Sequence, residues 1–363
     1  MEVIMRTAAE LLQTIYRGWN LGNEEDCFPF DDAEKIFNER GQHPGAPWHN
    51  NETDWGNPIV EEAVIDTIAA SGMNLIRIPV TWFDAMTDEA GTIHPDKLKR
   101  VKQLVDWALD DGMVTIVNMH HENSWMFNRD FSLETVCGIY CNVWRQIAEA
   151  FRGYPDMLIF EALNEPRIEN APEEWCGGTA EVRDKVNRLQ SAFRDQIRSD
   201  PAHQKRILLY TTPGAVPAEC ALQDLIVPED PYLGVSTHLY RPSAFCNPTV
   251  PEDVPVRWTA EGQQEIDAAF ERIDRFLVSK GIPVILTEYG AADHHNEDDV
   301  AEWTGYILRK ANSLGISGIF WDNNSEEQNG DGFSILRRQD LTWVRPKVRD
   351  AILVKDISAG KNH

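Results

Sequence analysis

"PIVEEAVIDTIAASGMNLIRIPVTW", residues 58–82, changes character half-way along. The first part, 58–72, carries apolar residues at helical spacing, and Gly72 closes it as glycine closes many helices. The second part, 73–82, is a nearly unbroken apolar and β-branched run. A strand this apolar has no wet face, so it belongs in a sheet covered on both sides. A helix followed by a buried strand is the repeating unit of a parallel α/β sheet.

The unit recurs along the chain. Apolar, β-branched runs occupy 14–22, 73–82, 113–121, 157–165, 206–213, 232–240, 282–290 and 316–324. Helical periodicity fills most intervals, as in "PDKLKRVKQLVDWALDDG" (95–112), and Gly72, Gly112, Gly281 and Gly315 stand just before the next run. Eight such units in 363 residues predict an α/β fold, a closed (β/α)8 TIM barrel rather than an open doubly wound sheet. Neither GxGxxG after the first strand nor GxxxxGK[ST] is present, which withdraws support from a nucleotide-binding sheet. The chain reads as one domain over 1–363, with an extended polar loop after the first strand, about 23–57, that carries Trp48 and Trp55.

Lys plus Arg number 34 against 59 for Asp plus Glu, a formal net charge of −25. Such a surface repels nucleic acid and anionic lipid, so neither is an expected partner. No run of about 18 apolar residues suggests a membrane span. The start, "MEVIMRTAAELLQTIYRG", lacks the basic region and small-residue cleavage site of a signal peptide. Six cysteines (Cys27, Cys137, Cys141, Cys176, Cys220, Cys246) form no CxxC pair, and Cys137 and Cys141 read as small hydrophobes on one helix.

In a barrel of this kind chemistry gathers at the C-terminal strand ends. Those ends read Asn20 and Asn23, Arg77 and Trp82, His120 and His121, Asn164 and Glu165, His238 and Tyr240, Glu288 and Tyr289, and Trp321 and Asp322. Only the fifth, "YTTP", offers nothing obviously chemical. Adjacent His120 and His121, with Glu122, invite a metal reading. Neighbouring residues on a strand point to opposite faces, however, and no third histidine follows at helical spacing. His294–His295 in "ADHHNEDD" reads as a polar loop.

Taken in order, "GWNLGN" (18–23), "WGNP" (55–58), "RIPVTW" (77–82), "NMHHE" (118–122), "FEALNEP" (160–166), "HLY" (238–240), "TEYG" (287–290) and "FWDN" (320–323) resemble glycoside hydrolase family 5, and within it the endo-β-1,4-glucanase (cellulase) branch. The resemblance implies a retaining hydrolase with Glu165 as acid/base and Glu288 as nucleophile. It further implies a β-glucan polysaccharide or oligosaccharide as substrate, no cofactor, no catalytic metal, and a monomer. A polymer substrate favours an extracellular setting. No linker or separate carbohydrate-binding module is expected in this chain.

Retaining hydrolysis needs two carboxyl groups about 5–5.5 Å apart, one neutral and one ionised. Arg77 and Tyr240 are expected to hold Glu288, His238 to meet Glu165 or substrate, and Asn164 to bind the sugar 2-hydroxyl. His120 and His121 are expected to contact sugar hydroxyls, as are Asn20 and Asn23 at the first strand end. Trp321 offers a stacking face, which Trp82, Trp48 or Trp55 would extend. "NEEDCFPF" (23–30) departs from the more usual "NTLDA"-like wording, which leaves cellulose, mixed-linkage glucan, xyloglucan and mannan open as substrates. Alternation along 159–167 puts Glu161 on the face of Glu165, one layer deeper. A carboxylate buried there needs a partner such as Arg77 or His120, while Asn164 reaches the sugar only if the strand twists or bulges before Pro166.

Overall fold

The structure is a computed structural model that describes residues 6–12, 14, 16–28, 50–128, 130–247, 255–326 and 332–354. Trp48 and most of the loop after the first strand lie outside the described residues. Eight parallel strands close into a barrel in sequence order: β1 (Arg17–Leu21), β2 (Leu75–Ile78), β3 (Val114–Asn118), β4 (Leu158–Glu161), β5 (Leu208–Tyr210), β6 (Leu233–Leu239), β7 (Val284–Tyr289) and β8 (Ser317–Asp322). β8 pairs back onto β1, with Asn20 opposite Trp321.

A short helix, α1 (Ala8–Leu12), precedes β1. The outer helices are α2 (Glu62–Ala70), α3 (Pro95–Asp110), α4 (Leu133–Ala150), α5 (Ala180–Arg198), α6 (Glu219–Asp224), α7 (Ala260–Phe276), α8 (Glu297–Ser313) and α9 (Pro346–Leu353). Their starts are set by ordinary chemistry. The Ser132 and Thr179 hydroxyls accept from backbone N–H groups three residues on, at α4 and α5. Among the described residues, no helix is long and apolar enough to cross a membrane.

Two apolar shells result. The larger lies between sheet and helices, where Trp144 and Trp303 are fully buried. The smaller fills the barrel, where Leu75, Ile116, Ile159, Leu209, Ile285 and Ile319 pack with Leu11 and Leu12 of α1. Gly234 leaves room for that plug, since a Cβ there would stand 3.1 Å from Leu12 Cδ1.

Side-chain alternation places a polar layer directly above this apolar one. Arg77 lies two residues beyond Leu75, Asn118 beyond Ile116 and Glu161 beyond Ile159. On β7 strict alternation from Ile285 would send Glu288 outward. The register shifts there instead: Thr237 faces Leu286, but His238 faces Glu288, so one extra residue on β7 turns Glu288 into the barrel mouth. β4 solves its own parity differently. Its regular pairing stops at Glu161, and the Asn164 N–H then bonds Met119 O at 2.9 Å, so the chain is free to present both Asn164 and Glu165.

Candidate active site

Arg77 is the hub of the buried polar layer. Its Nε donates to Glu161 Oε2 at 2.7 Å, and Nη1 donates to Glu288 Oε1 at 2.7 Å and Asn20 Oδ1 at 3.0 Å. Its Nη2 donates to Asn164 Oδ1 at 2.6 Å. Asn118 Nδ2 adds a 3.1 Å hydrogen bond to Glu161 Oε2. The partner required by a carboxylate buried at Glu161 is therefore present.

Above this layer stand the two glutamates. Tyr240 OH donates to Glu288 Oε2 at 2.8 Å, while His238 Nδ1 lies 2.8 Å from Glu165 Oε1 and 3.5 Å from Glu288 Oε2. One oxygen of each glutamate and the imidazole nitrogen all lie within 4.8 Å of one another. Arg167 Nη1 reaches Glu165 from the outer side, at 3.3 Å from Oε2.

Burial is the largest influence on both carboxyls and pushes each towards its neutral form. Against it, His238 and Arg167 leave Glu165 below the usual range. Glu288 stays above it through burial and the nearby charge of Glu165, although His238, Arg77 and Tyr240 oppose them. Carboxylates this close titrate as a pair, in two macroscopic steps. Burial and the neighbouring Glu288 charge drive the Tyr240 phenol well upward, so it remains a donor to the ionised form of Glu288.

The third strand supplies a second cluster. Asn118 Oδ1 accepts from Val80 N at 3.1 Å, which fixes its amide, and Nδ2 then faces His120 Nδ1 at 3.1 Å. His120 Nδ1 must therefore accept, and the neutral ring carries its proton on Nε2. Burial pushes His120 well below, and His121 down to about 3, so both rings are neutral. Their Nε2 atoms lie 3.9 and 3.8 Å from Asp26 Oδ2, a fully buried oxygen with no hydrogen-bond partner. The opposite faces expected of neighbouring His120 and His121 do not occur, because β3 ends at Asn118: with Asp26 the two rings bring ligand atoms within 4.8 Å, as a metal site requires. A His120 Nε2 that bears its proton offers a donor rather than a lone pair, so the set suits a hydroxyl better than a cation. His120 stacks on Trp321 at 5.7 Å and 5°, and Phe28 and Trp55 stand 5.5 and 5.6 Å from His121.

Two expected sugar contacts are placed elsewhere. Trp82 is fully buried, with Nε1 donating to Asn118 O at 2.9 Å and its backbone N–H to Glu122 Oε1 at 2.6 Å. It braces the strand from behind and offers no face to a sugar. Asn20 is also fully buried, and its Nδ2 is occupied by the Thr287, Ile319 and Phe320 carbonyls at 3.0–3.3 Å. Asn20 orients Arg77 rather than touching substrate. Asn23 is half-buried with a left-handed backbone at φ 57°, and its carbonyl accepts from Asn57.

Reading strand ends alone passes over three residues that the structure brings to the mouth. Asp26 follows β1 in the "NEEDCFPF" loop. Arg167 and Trp175 lie in the loop after β4, where the Arg167 guanidinium sits 4.4 Å from the Trp175 ring and Trp175 remains 45 % exposed. A proline followed by a long polar segment carries no periodic signal, so nothing in the strand pattern pointed there.

The model of the cellulase family (glycosyl hydrolase family 5) matches residues 37–327, which include both glutamates and every strand from β2 to β8. The chain belongs to glycosyl hydrolase family 5. It is a glycoside hydrolase of the family's endoglucanase branch. This family 5 chain is 35% identical over 351 residues to endoglucanase A of Ruminococcus albus, covering 96% of this chain and 92% of that enzyme. It spans 66% of endoglucanase A of Clostridium longisporum. Among solved structures, a broad-specificity endoglucanase of subfamily GH5-4 from Clostridium longisporum superposes with a TM-score of 0.87 at 33% identity, covering 96% of this chain and 98% of that one. A metagenomic xyloglucan-specific endo-β-1,4-glucanase solved with cellotriose gives 0.86 at 34% identity, covering 95% and 98%.

Proposed function

We propose that this family 5 barrel is a retaining endo-β-1,4-glucanase acting by double displacement, with Glu165 as acid/base and Glu288 as nucleophile. The observation that carries this reading is the approach of the two carboxylates to within 4.8 Å across His238. An upper bound of 4.8 Å between the nearest oxygens agrees with carboxyl groups roughly 5–5.5 Å apart, as in retaining enzymes, better than with the roughly 6.5–9.5 Å that an inverting enzyme keeps for its water. Glu288 attacks the anomeric carbon as Glu165 delivers its proton to the departing glycosidic oxygen. The Glu165 carboxylate then takes a proton from water as that water displaces the enzyme ester.

The donors around Glu288 fit these roles, but the charge balance of the free site runs the other way. His238 and Arg167 hold the Glu165 carboxyl low, while burial and the Glu165 charge hold Glu288 high. The proton these roles need on Glu165 is therefore set by the pair titrating together with substrate in the cleft. Glu288 is fixed by Arg77 and Tyr240, two donors that keep their protons at working pH. Glu165 stands at the more open edge, beside Arg167, whose guanidinium lies over the Trp175 ring. Asn164, aligned by Arg77, is placed for the sugar 2-hydroxyl, and His120, His121 and Asp26 for other hydroxyls on the glycone side. Trp321 supplies a stacking face. Trp175 supplies one on the leaving-group side. The substrates are β-1,4-linked and mixed-linkage glucans. The similarity to a xyloglucan-specific enzyme supports xyloglucan as a second substrate. Hydrolysis of carboxymethylcellulose, barley glucan, xyloglucan and mannan, with product sizing, tests both reading and range. Mannan as the only substrate cleaved would overturn it.

A further inference from the structure

All the cysteines of the described residues are free thiols, and two of them meet beside the candidate site. Cys176 closes the turn after β4 that carries Trp175, and Cys220 is the second residue of α6. Both are exposed, and Cys220 Sγ donates to Cys176 O at 3.5 Å. The contact belongs to a close docking of loop on helix. A Cβ on the neighbouring Gly177, whose φ is +93°, would stand 3.0 Å from the Cβ atoms of Ala218 and Ala221 and 3.1 Å from Cys220 Sγ. The Arg183–Asp224 ion pair at 2.7 Å fastens α5 to the far end of α6. The two cysteines are thus held together by packing rather than by chance exposure.

We propose that Cys176 and Cys220 are a disulfide-forming pair that locks the leaving-group loop onto α6. The oxidant is a low-molecular-weight disulfide. One cysteine loses its proton and its thiolate attacks a sulfur of that disulfide, breaking the S–S bond and releasing one thiol. The second cysteine then gives up its proton and attacks the protein sulfur of the mixed disulfide, which forms the Cys176–Cys220 bond and releases the second thiol. Two protein thiols are oxidised and one disulfide is reduced to two thiols. The bond would close the chain over residues 176–220 and anchor the end of the adjoining segment, where Trp175 packs on Arg167 and Arg167 reaches Glu165.

The test treats the folded full-length protein with oxidised glutathione, followed by intact-mass measurement and peptide mapping without reductant. The expected result is a loss of two hydrogens per chain, a peptide linking Cys176 to Cys220, and full reversal by dithiothreitol. Cys176→Ser and Cys220→Ser should each take up one glutathione in place of the bridge and retain hydrolytic activity. Glutathione on both cysteines of the unmutated protein, or a bridge between other cysteines, would overturn the proposal. These readouts are independent of which glutamate does what.

Discussion

Arg77 donates to Glu161 through Nε and to Glu288 through Nη1, each at 2.7 Å, with neither Arg77 nor Glu161 exposed to solvent. The deeper carboxylate orients the guanidinium, and the guanidinium orients the proposed nucleophile. Removing one partner of a buried ion pair leaves an uncompensated charge and costs about 3–5 kcal/mol. Arg77→Met is therefore expected to lose most of its thermal stability margin along with its activity.

Glu161→Gln separates positioning from chemistry. It keeps the volume and one acceptor but removes the charge that holds Arg77. The expected outcome is a kcat lowered about 10-fold, equivalent to ~1.4 kcal/mol of transition-state alignment, with KM nearly unchanged. A variant with native kcat and only a lower melting temperature would make Glu161 a purely structural residue.

Tyr240→Phe removes a hydrogen bond to a charged group, worth about 1.5–3 kcal/mol, so kcat should fall roughly 10- to 100-fold. Burial holds the Glu288 carboxyl up, and the Tyr240 bond is among the contacts that oppose it. Without that bond Glu288 ionises at higher pH. The acid limb of kcat/KM should move upward, which a pH–rate profile on a soluble aryl cellobioside would show.

The two tryptophans at strand ends should behave in opposite ways. Trp82→Phe loses the bond to Asn118 O and is expected to lower the melting temperature with little change in KM. Trp321→Ala removes a half-buried ring that stacks on His120 and should weaken kcat/KM by about 10-fold or more, a larger effect on turnover than on melting temperature. Calorimetry and steady-state kinetics on the same preparations check both.

Glu122 predicts a pH signature in stability. Burial raises its carboxyl from 4.5 to about 7, with Asp84 adding to the rise and bonds from Trp125 and Trp82 opposing it. A folded value above the unfolded one means that the folded chain holds the proton more tightly. That contribution is complete below 4.5 and is lost as pH rises through about 7, on the order of 3 kcal/mol in all. Glu122→Gln cannot ionise but loses one acceptor. Its melting temperature should lie below that of the parent at acid pH and approach it towards neutral pH. A gap independent of pH would contradict the assignment.

The strand–helix alternation, the order of strands and the glutamate pair were all legible because each depends on local period and on residues at strand ends. Glu161 was legible for the same reason: it shares the inward parity of Ile159 to the end of β4, although that parity does not continue to Glu165. The turn of Glu288 into the mouth was not, because an extra residue on β7 relative to β6 leaves no local mark. Trp82 and Asn20 misled for a related cause. Both stand at strand ends, but their neighbours, Asn118 and Glu122 for one and three backbone carbonyls for the other, close over them. Asp26 and Trp175 lie in loops whose paths are set by tertiary contacts, so composition alone says nothing about where they point.

The most direct test of the central claim is the anomeric configuration of the first product. Cellotetraose, or another soluble β-1,4-glucan oligomer, would be cleaved in deuterated buffer and followed by proton NMR before mutarotation. Double displacement by Glu288 with Glu165 as acid/base predicts that the β-anomer appears first. Immediate appearance of the α-anomer would mean a single displacement by water, and the roles assigned to the two glutamates would be wrong.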